Sequence, residues 1–249
     1  MNGPCILETH GLCKRFGGVS ATDEISLCIH RGEVHALIGP NGAGKTTLIS
    51  QLSGLLKADS GKIIFDGENV TRKSAAALAK RGLARSFQIT SVFQELTVLE
   101  NVAIAVQVTQ GSSFRFFGNA ALDTSILGPA EQVLIRTGLA EKCSVLASRI
   151  SHGERRQLEI AMALATEPKM LLLDEPMAGM GPAESNEMIE LLASLKGDKT
   201  MLLVEHDMDT VFSLADRISV LVYRRVIATG SPDEIRGNRD VQQAYLGDE

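Results

Sequence analysis

Gly39-Pro40-Asn41-Gly42-Ala43-Gly44-Lys45-Thr46-Thr47 is the stretch on which the reading of this chain turns. It matches G-x-x-x-x-G-K-[ST] at every fixed position. Before it runs Glu33-Val34-His35-Ala36-Leu37-Ile38, a short apolar segment that reads as a buried strand. After it, Leu48-Ile49-Ser50-Gln51-Leu52 has helical composition and ends at Gly54. Strand, glycine-rich loop and helix is the order a bound phosphate needs. Glycines let backbone N–H groups close around the anion, and the helix N-terminus adds positive potential. Lys45 can reach the outer phosphates as a point charge, and the Thr46 hydroxyl can ligate Mg²⁺. A tight turn that binds nothing is the bland alternative; it loses because motif and flanks agree. The stretch from Gly39 to Thr47 therefore points to a bound nucleotide.

Composition bounds that inference. The 249 residues suffice for one large domain or two small lobes with a sizeable core. With 44 % hydrophobic and 22 % charged residues the chain is an ordinary globular sequence. A net charge of −5 argues against a general nucleic-acid partner, which needs a basic face. Cys5, Cys13, Cys28 and Cys143 form no C-x-x-C and show no histidine at metal-ligand spacing. They read as reduced thiols of a cytosolic chain. Met1 to Cys5 lacks the pattern of a signal peptide, and no run approaches the ~20 apolar residues of a membrane span. Any membrane role is expected to be peripheral, through a partner.

Moving outward from the loop, alternation predicts strands over Ile6–Cys13 and Ile25–Ile29. Lys62–Phe65 adds another, closed by the hairpin signal Asp66-Gly67. Leu83–Phe87 reads as a short strand ending at Gln88. Helical patterning then takes over, with segments at Leu96–Val108 and Pro129–Gly138. A mainly helical subdomain is expected over residues 89–165, inserted in a single domain whose core is made of 1–88 and 166–249. Ser151 and Glu154 form S-x-x-E, a capping box, ahead of Leu158, Ala161, Met162 and Ala165 at helical spacing. Taken alone, that is a capped amphipathic helix.

The next segment changes its weight. Lys169-Met170-Leu171-Leu172-Leu173-Asp174-Glu175-Pro176 is an apolar run ending in two carboxylates. It reads as a buried parallel strand with the acids at its C-terminal end, where open α/β sheets bind ligands. Asp174 is the candidate to hold Mg²⁺ through its waters, and Glu175 to polarise a water for attack on a γ-phosphate. The bland reading, a turn before Pro176, is weakened by the loop upstream. Pro182 suits the first position of a helix running to Lys196. Thr200–Val204 is a further strand, so His206 also falls at a strand end on the phosphate edge. Arg217–Val222 and Val226–Ala228 read as paired strands, and two short helices close the chain.

In that order and spacing, the loop, Gln88, the Ser151 segment, Asp174-Glu175 and His206 resemble the ATP-binding cassette ATPases over essentially the whole chain. The resemblance implies an α/β fold: a P-loop NTPase core of RecA-like type, with an antiparallel β subdomain and an inserted helical one. It implies ATP and Mg²⁺ as ligands. Gln88 takes the place of the glutamine that senses the metal and couples to a membrane subunit. Ile150-Ser151-His152-Gly153-Glu154 resembles the signature segment, so Ser151 and Gly153 would meet the γ-phosphate held by a second cassette. Glu175 resembles the general base, His206 the switch histidine, and Phe16 the aromatic that stacks on adenine. Two segments depart from the pattern: in the signature His152 replaces a glycine and Glu154 the usual glutamine, and after Pro176 Gly181 stands where an aspartate is common.

A closer likeness is to the importer ATPases for branched-chain and other hydrophobic amino acids. It is carried by Lys14–Gly18, Leu83–Gln88, Leu96–Val102, Ala178-Gly179-Met180, Val204–Met208 and Ala244–Gly247. That branch implies transmembrane permease subunits, a second cassette (identical or related), an extracytoplasmic binding protein, and a place on the cytoplasmic face of the membrane. Urea and amide importers share several of these features, including Ser-His-Gly in the signature. A soluble cassette acting on ribosomes or DNA is the alternative from another class. Its usual second cassette, coiled-coil insertion or basic surface is not seen here.

Overall fold

Alternating residues at the amino terminus build a long antiparallel hairpin in the computed structural model, which describes residues 3–85, 92–110 and 124–246. β1 (Cys5–Phe16) and β2 (Val19–His30) turn at Gly17-Gly18. Both run longer than the alternation alone predicts, because cross-strand pairing carries polar positions such as Lys14 and Thr22 into the ladder. β3 (Val34–Ile38) and α1 (Lys45–Leu52) follow, and β4 (Ser60–Phe65) then returns to pair with β1 and with the short β5 (Glu68–Asn69). The resulting four-stranded sheet is antiparallel, in the order β2-β1-β4-β5.

The cysteines correct one expectation. Cys5 and Cys28 form a disulfide between β1 and β2, with their Cα atoms 5.6 Å apart. Twenty-three residues separate them in sequence, and only the antiparallel return brings them side by side. His30 lies two residues on, its ring 3.7 Å from the Cys28 sulfur. A histidine therefore does neighbour the pair, although the disulfide uses both sulfurs. Cys13 and Cys143 are free thiols.

A second sheet has six strands in the order β10-β9-β3-β8-β7-β6. After α2 (Ala75–Ala79) come β6 (Leu83–Arg85), β7 (Met170–Asp174), β8 (Thr200–Val204) and β9 (Arg217–Val222), all parallel with β3. β10 (Arg225–Gly230) joins β9 antiparallel. Every residue of β3, β7 and β8 is buried, which is why these runs read as continuously apolar rather than alternating. The exception in β3, His35, is satisfied by Glu33 at 3.0 Å and Ser219 at 2.8 Å. Burial pushes its imidazole pKa down, against the opposing pull of Glu33.

Two layers sandwich that sheet. Leu37 of β3 packs with α1 and the amino-terminal hairpin. Its neighbours Ala36 and Ile38 pack on the other face against α7 (Met208–Leu214), α8 (Pro232–Arg236) and α9 (Arg239–Leu246). α6 (Pro182–Leu195) covers the same sheet through Met188, Leu192 and Leu195, and carries Pro182 in its first turn as expected.

α3 (Val98–Thr109), α4 (Thr124–Arg136) and α5 (His152–Ala165) form a separate cluster around Val102, Ala130, Leu134, Leu158 and Ala161. α4 begins upstream of the expected Pro129 and carries that proline inside. Pro129 leaves the Ser125 carbonyl without its helical donor. The Gln110 side chain supplies one instead, at 3.0 Å.

Candidate active site

The glycines between β3 and α1 are fixed by close packing. A Cβ at Gly39 would lie 2.1 Å from the Leu221 carbonyl oxygen, and one at Gly44 2.3 Å from that of Ala21. Gly44, with φ +105°, precedes α1 and no side chain caps the helix. The first-turn N–H groups are therefore left to an anion. Residues Asn41–Thr47 line a cavity of about 270 Å³ together with Val19–Ala21, Glu175 and Arg224.

Lys45 is buried, and its ammonium donates to the carbonyls of Gly39 (2.6 Å) and Pro40 (3.2 Å). Burial pulls its pKa down, while the negative charges of Glu175 and Asp174 push it back up. All three groups thus share one electrostatic site.

Asp174 ends β7 and is in register with Val204 at the end of β8. The acids of one strand and the Glu205-His206 pair of the next thereby meet at one sheet edge. Asp174 is almost fully buried, and its Oδ2 accepts from Arg85 Nη2 at 2.9 Å. Glu175 is half-buried, in a left-handed backbone conformation (φ +49°), with its N–H donating to the Val204 carbonyl. A non-glycine residue held there stores strain of a kind that concentrates at functional sites. His206 is exposed and sits outside the cavity lining, with Nδ1 3.8 Å from Glu205. Glu205 is buried and accepts from the N–H of Met177 and of His206; burial pushes its carboxyl pKa up.

Ser151 caps α5 in the predicted box with Glu154. A second carboxylate meets the same helix end. Glu184 of α6 accepts from the Ser151 hydroxyl at 3.0 Å and from the Gly153 N–H at 3.2 Å. These bonds, with one from the Gly181 N–H, hold its pKa below the usual carboxylate value. A Cβ on Gly179, two residues before Gly181, would sit 3.6 Å from the His152 ring.

Phe16 is exposed at the end of β1, with Lys14 Nζ 5.5 Å from its ring centre. Gln88 lies outside the described residues. Sequence reasoning did not single out Arg85, Glu184 or Glu205 as parts of a site. Glu184 had a signal, three residues after Gly181 at a helix start; Arg85 had none, since its partner is far along the chain.

A glycine loop feeding an uncapped helix, with a buried lysine facing two carboxylates at strand ends, defines a P-loop nucleotide-binding ATPase. Residues 22–178 match the family model described as ABC transporter. Residues 225–249 match a second, described as branched-chain amino acid ATP-binding cassette transporter. The chain belongs to the ABC transporter ATPase family. It is 39 % identical to the high-affinity branched-chain amino acid transport ATP-binding protein LivG of Escherichia coli K12, over 98 % of both chains. It is 37 % identical to the corresponding protein BraF of Pseudomonas aeruginosa, again over 98 % of both. Among solved structures, an ATP-binding cassette of an ABC transporter in its ADP conformation superposes with a TM-score of 0.87 at 32 % identity. That match covers 98 % of this chain and 99 % of the other.

Proposed function

We propose that this chain is the ATP-hydrolysing subunit of an importer for branched-chain or other hydrophobic amino acids. The observation that carries the cargo class is the likeness to LivG and BraF over 98 % of the chain, reinforced by the match at residues 225–249. Among the described residues no helix is long and apolar enough to cross a membrane. In this reading the chain sits peripherally on the cytoplasmic face of the membrane, against permease subunits, with an extracytoplasmic binding protein completing the system.

The geometry around the loop supports the roles proposed for Lys45, Glu175 and Asp174; those of His206, Phe16, Gln88, Ser151 and Gly153 rest on the family resemblance. The Gly39–Thr47 loop cradles the phosphates, and Lys45 leaves its loop carbonyls to meet them. Glu175, on the cavity wall, accepts a proton from the attacking water, and His206 steadies the γ-phosphate. Phe16 offers its exposed face to adenine. The Thr46 hydroxyl and the Asp174 carboxylate are hard oxygen donors of the kind magnesium takes, and Gln88, outside the described residues, is expected from the resemblance to join them. When bound, the ion neutralises charge on the phosphates. Ser151 and Gly153 act on the nucleotide of a second cassette, the two closing head-to-tail. The core of 1–88 and 166–249 carries the nucleotide, and 89–165 carries the signature helix.

Glu175→Gln tests the catalytic part. ATP binding is expected to persist, hydrolysis to fall at least ~100-fold, and ATP-dependent dimers to accumulate on size exclusion. Retained hydrolysis would remove Glu175 from its role. ATP-driven uptake of leucine into vesicles containing the chain with its permease partners tests the cargo; uptake of urea instead would reassign it.

A further inference from the structure

Asp174 is a carboxylate held out of water, its side chain only 2 % exposed. A buried carboxylate costs free energy unless its oxygens find hydrogen-bond partners. Lys45 is near enough to feel its charge, but the Lys45 ammonium is spent on the carbonyls of Gly39 and Pro40. The partner is Arg85, the last residue of β6, whose own side chain is 9 % exposed. Arg85 Nη2 donates to Asp174 Oδ2 at 2.9 Å. Nη1, on the other arm of the same planar group, reaches the hydroxyls of Ser53 (3.2 Å) and Ser50 (3.4 Å) near the end of α1. Among the described residues no donor reaches Asp174 Oδ1.

This is a three-point fixture. The guanidinium is rigid and always charged, so anchoring one arm on the α1 hydroxyls sets where the other arm holds the carboxylate. Among the described residues one carboxylate oxygen is engaged and the other remains open. α1 is also the helix whose N-terminus meets the phosphates, so the same fixture ties the carboxylate to the loop it must work with. Residues that orient a metal ligand from behind set its affinity without touching the ion.

We propose that Arg85 is a positioning residue for the ATPase reaction: it fixes the orientation of the Asp174 carboxylate, leaving Oδ1 for the nucleotide's divalent cation. The inference rests on the magnesium reading of Asp174 given above. Mn²⁺, followed by electron paramagnetic resonance, is the probe, with the full-length chain carrying Glu175→Gln and saturated with ATP.

Asp174→Asn should abolish the tight Mn²⁺ signal; if it leaves binding unchanged, the metal reading itself fails. With that control in place, Arg85→Gln should raise the half-saturating Mn²⁺ concentration about tenfold or more. ATP affinity measured in EDTA should stay within about twofold, because the phosphate cradle is untouched. Arg85→Lys keeps the charge but loses the fork, and should recover only part of the deficit. It also serves as the deciding variant if Arg85→Gln fails to fold. Wild-type Mn²⁺ half-saturation in a folded Arg85→Lys or Arg85→Gln protein overturns the proposal. So does a fall in melting temperature with no change in Mn²⁺ titration, which is what a purely structural ion pair would give.

Discussion

In the proposed reading two helices of this chain turn their N-termini to phosphates, and they are finished in opposite ways. α1 starts after Gly44, with no side chain on its free N–H groups and a lysine as its first residue. α5 starts after Ser151, which is capped by Glu154 and in addition shares Glu184 with the Gly153 N–H. The first end is open and built around a cavity closed by its own chain. The second already carries an internal anion, so on the proposed reading a phosphate arriving from a second cassette has a carboxylate to displace. A helix dipole by itself is a weak and unselective lure. What sets the use of each end is whether the fold leaves its donors vacant or supplies a stand-in.

The comparison can be broken most sharply at α1. Lys45→Ala removes the charge that gives the open end its preference for polyphosphate. The lost charge-assisted hydrogen bonds are worth about 2–3 kcal/mol, so ATP Kd should rise roughly 30- to 150-fold by fluorescence titration, with turnover lost. Unchanged affinity would mean that the helix end alone binds the phosphates.

Gly44→Ala tests whether the open end depends on the glycine conformation. The new Cβ would meet the Ala21 carbonyl at 2.3 Å in a left-handed backbone. Backbone strain alone should cost about 1–3 kcal/mol of stability in thermal or urea unfolding, beside a loss of ATP binding.

The smallest effect belongs to α5. Glu184→Ala, on the Glu175→Gln background, should free Ser151 and Gly153 and tighten the ATP-dependent dimer by about two- to fivefold, the scale of one charge at a helix end. The sign of the pH effect follows from the lowered carboxyl pKa. The Glu184 contact is fully present above the ordinary carboxylate value and is lost as pH falls through its lower folded value. The gap in unfolding stability between wild type and Glu184→Ala should therefore close as pH drops below the normal glutamate range. A dimer that weakens on removing Glu184 would mean that the carboxylate braces the signature helix rather than competing at it.

Much of this was written in local spacing. G-x-x-x-x-G-K-T, the apolar run into Asp174-Glu175, S-x-x-E before α5 and Pro182 at the head of α6 each encode a turn, a buried strand, a cap or a helix start within a few residues. Such features depend on backbone sterics and nearest neighbours, so they survive reading one residue at a time. Even the P-loop class and the carboxylate edge followed, because strand ends in a parallel sheet have to collect at one side.

Tertiary structure alone decided the rest, and the reason is sequence distance. Eighty-nine residues separate Arg85 from Asp174, and 33 separate Ser151 from Glu184. The Cys5–Cys28 pair exists because an antiparallel return lays the two strands side by side. Long-range ion pairs, a borrowed carboxylate at a helix end and a cross-strand disulfide leave no periodicity behind. They are fixed only when packing chooses which distant side chains share a buried space.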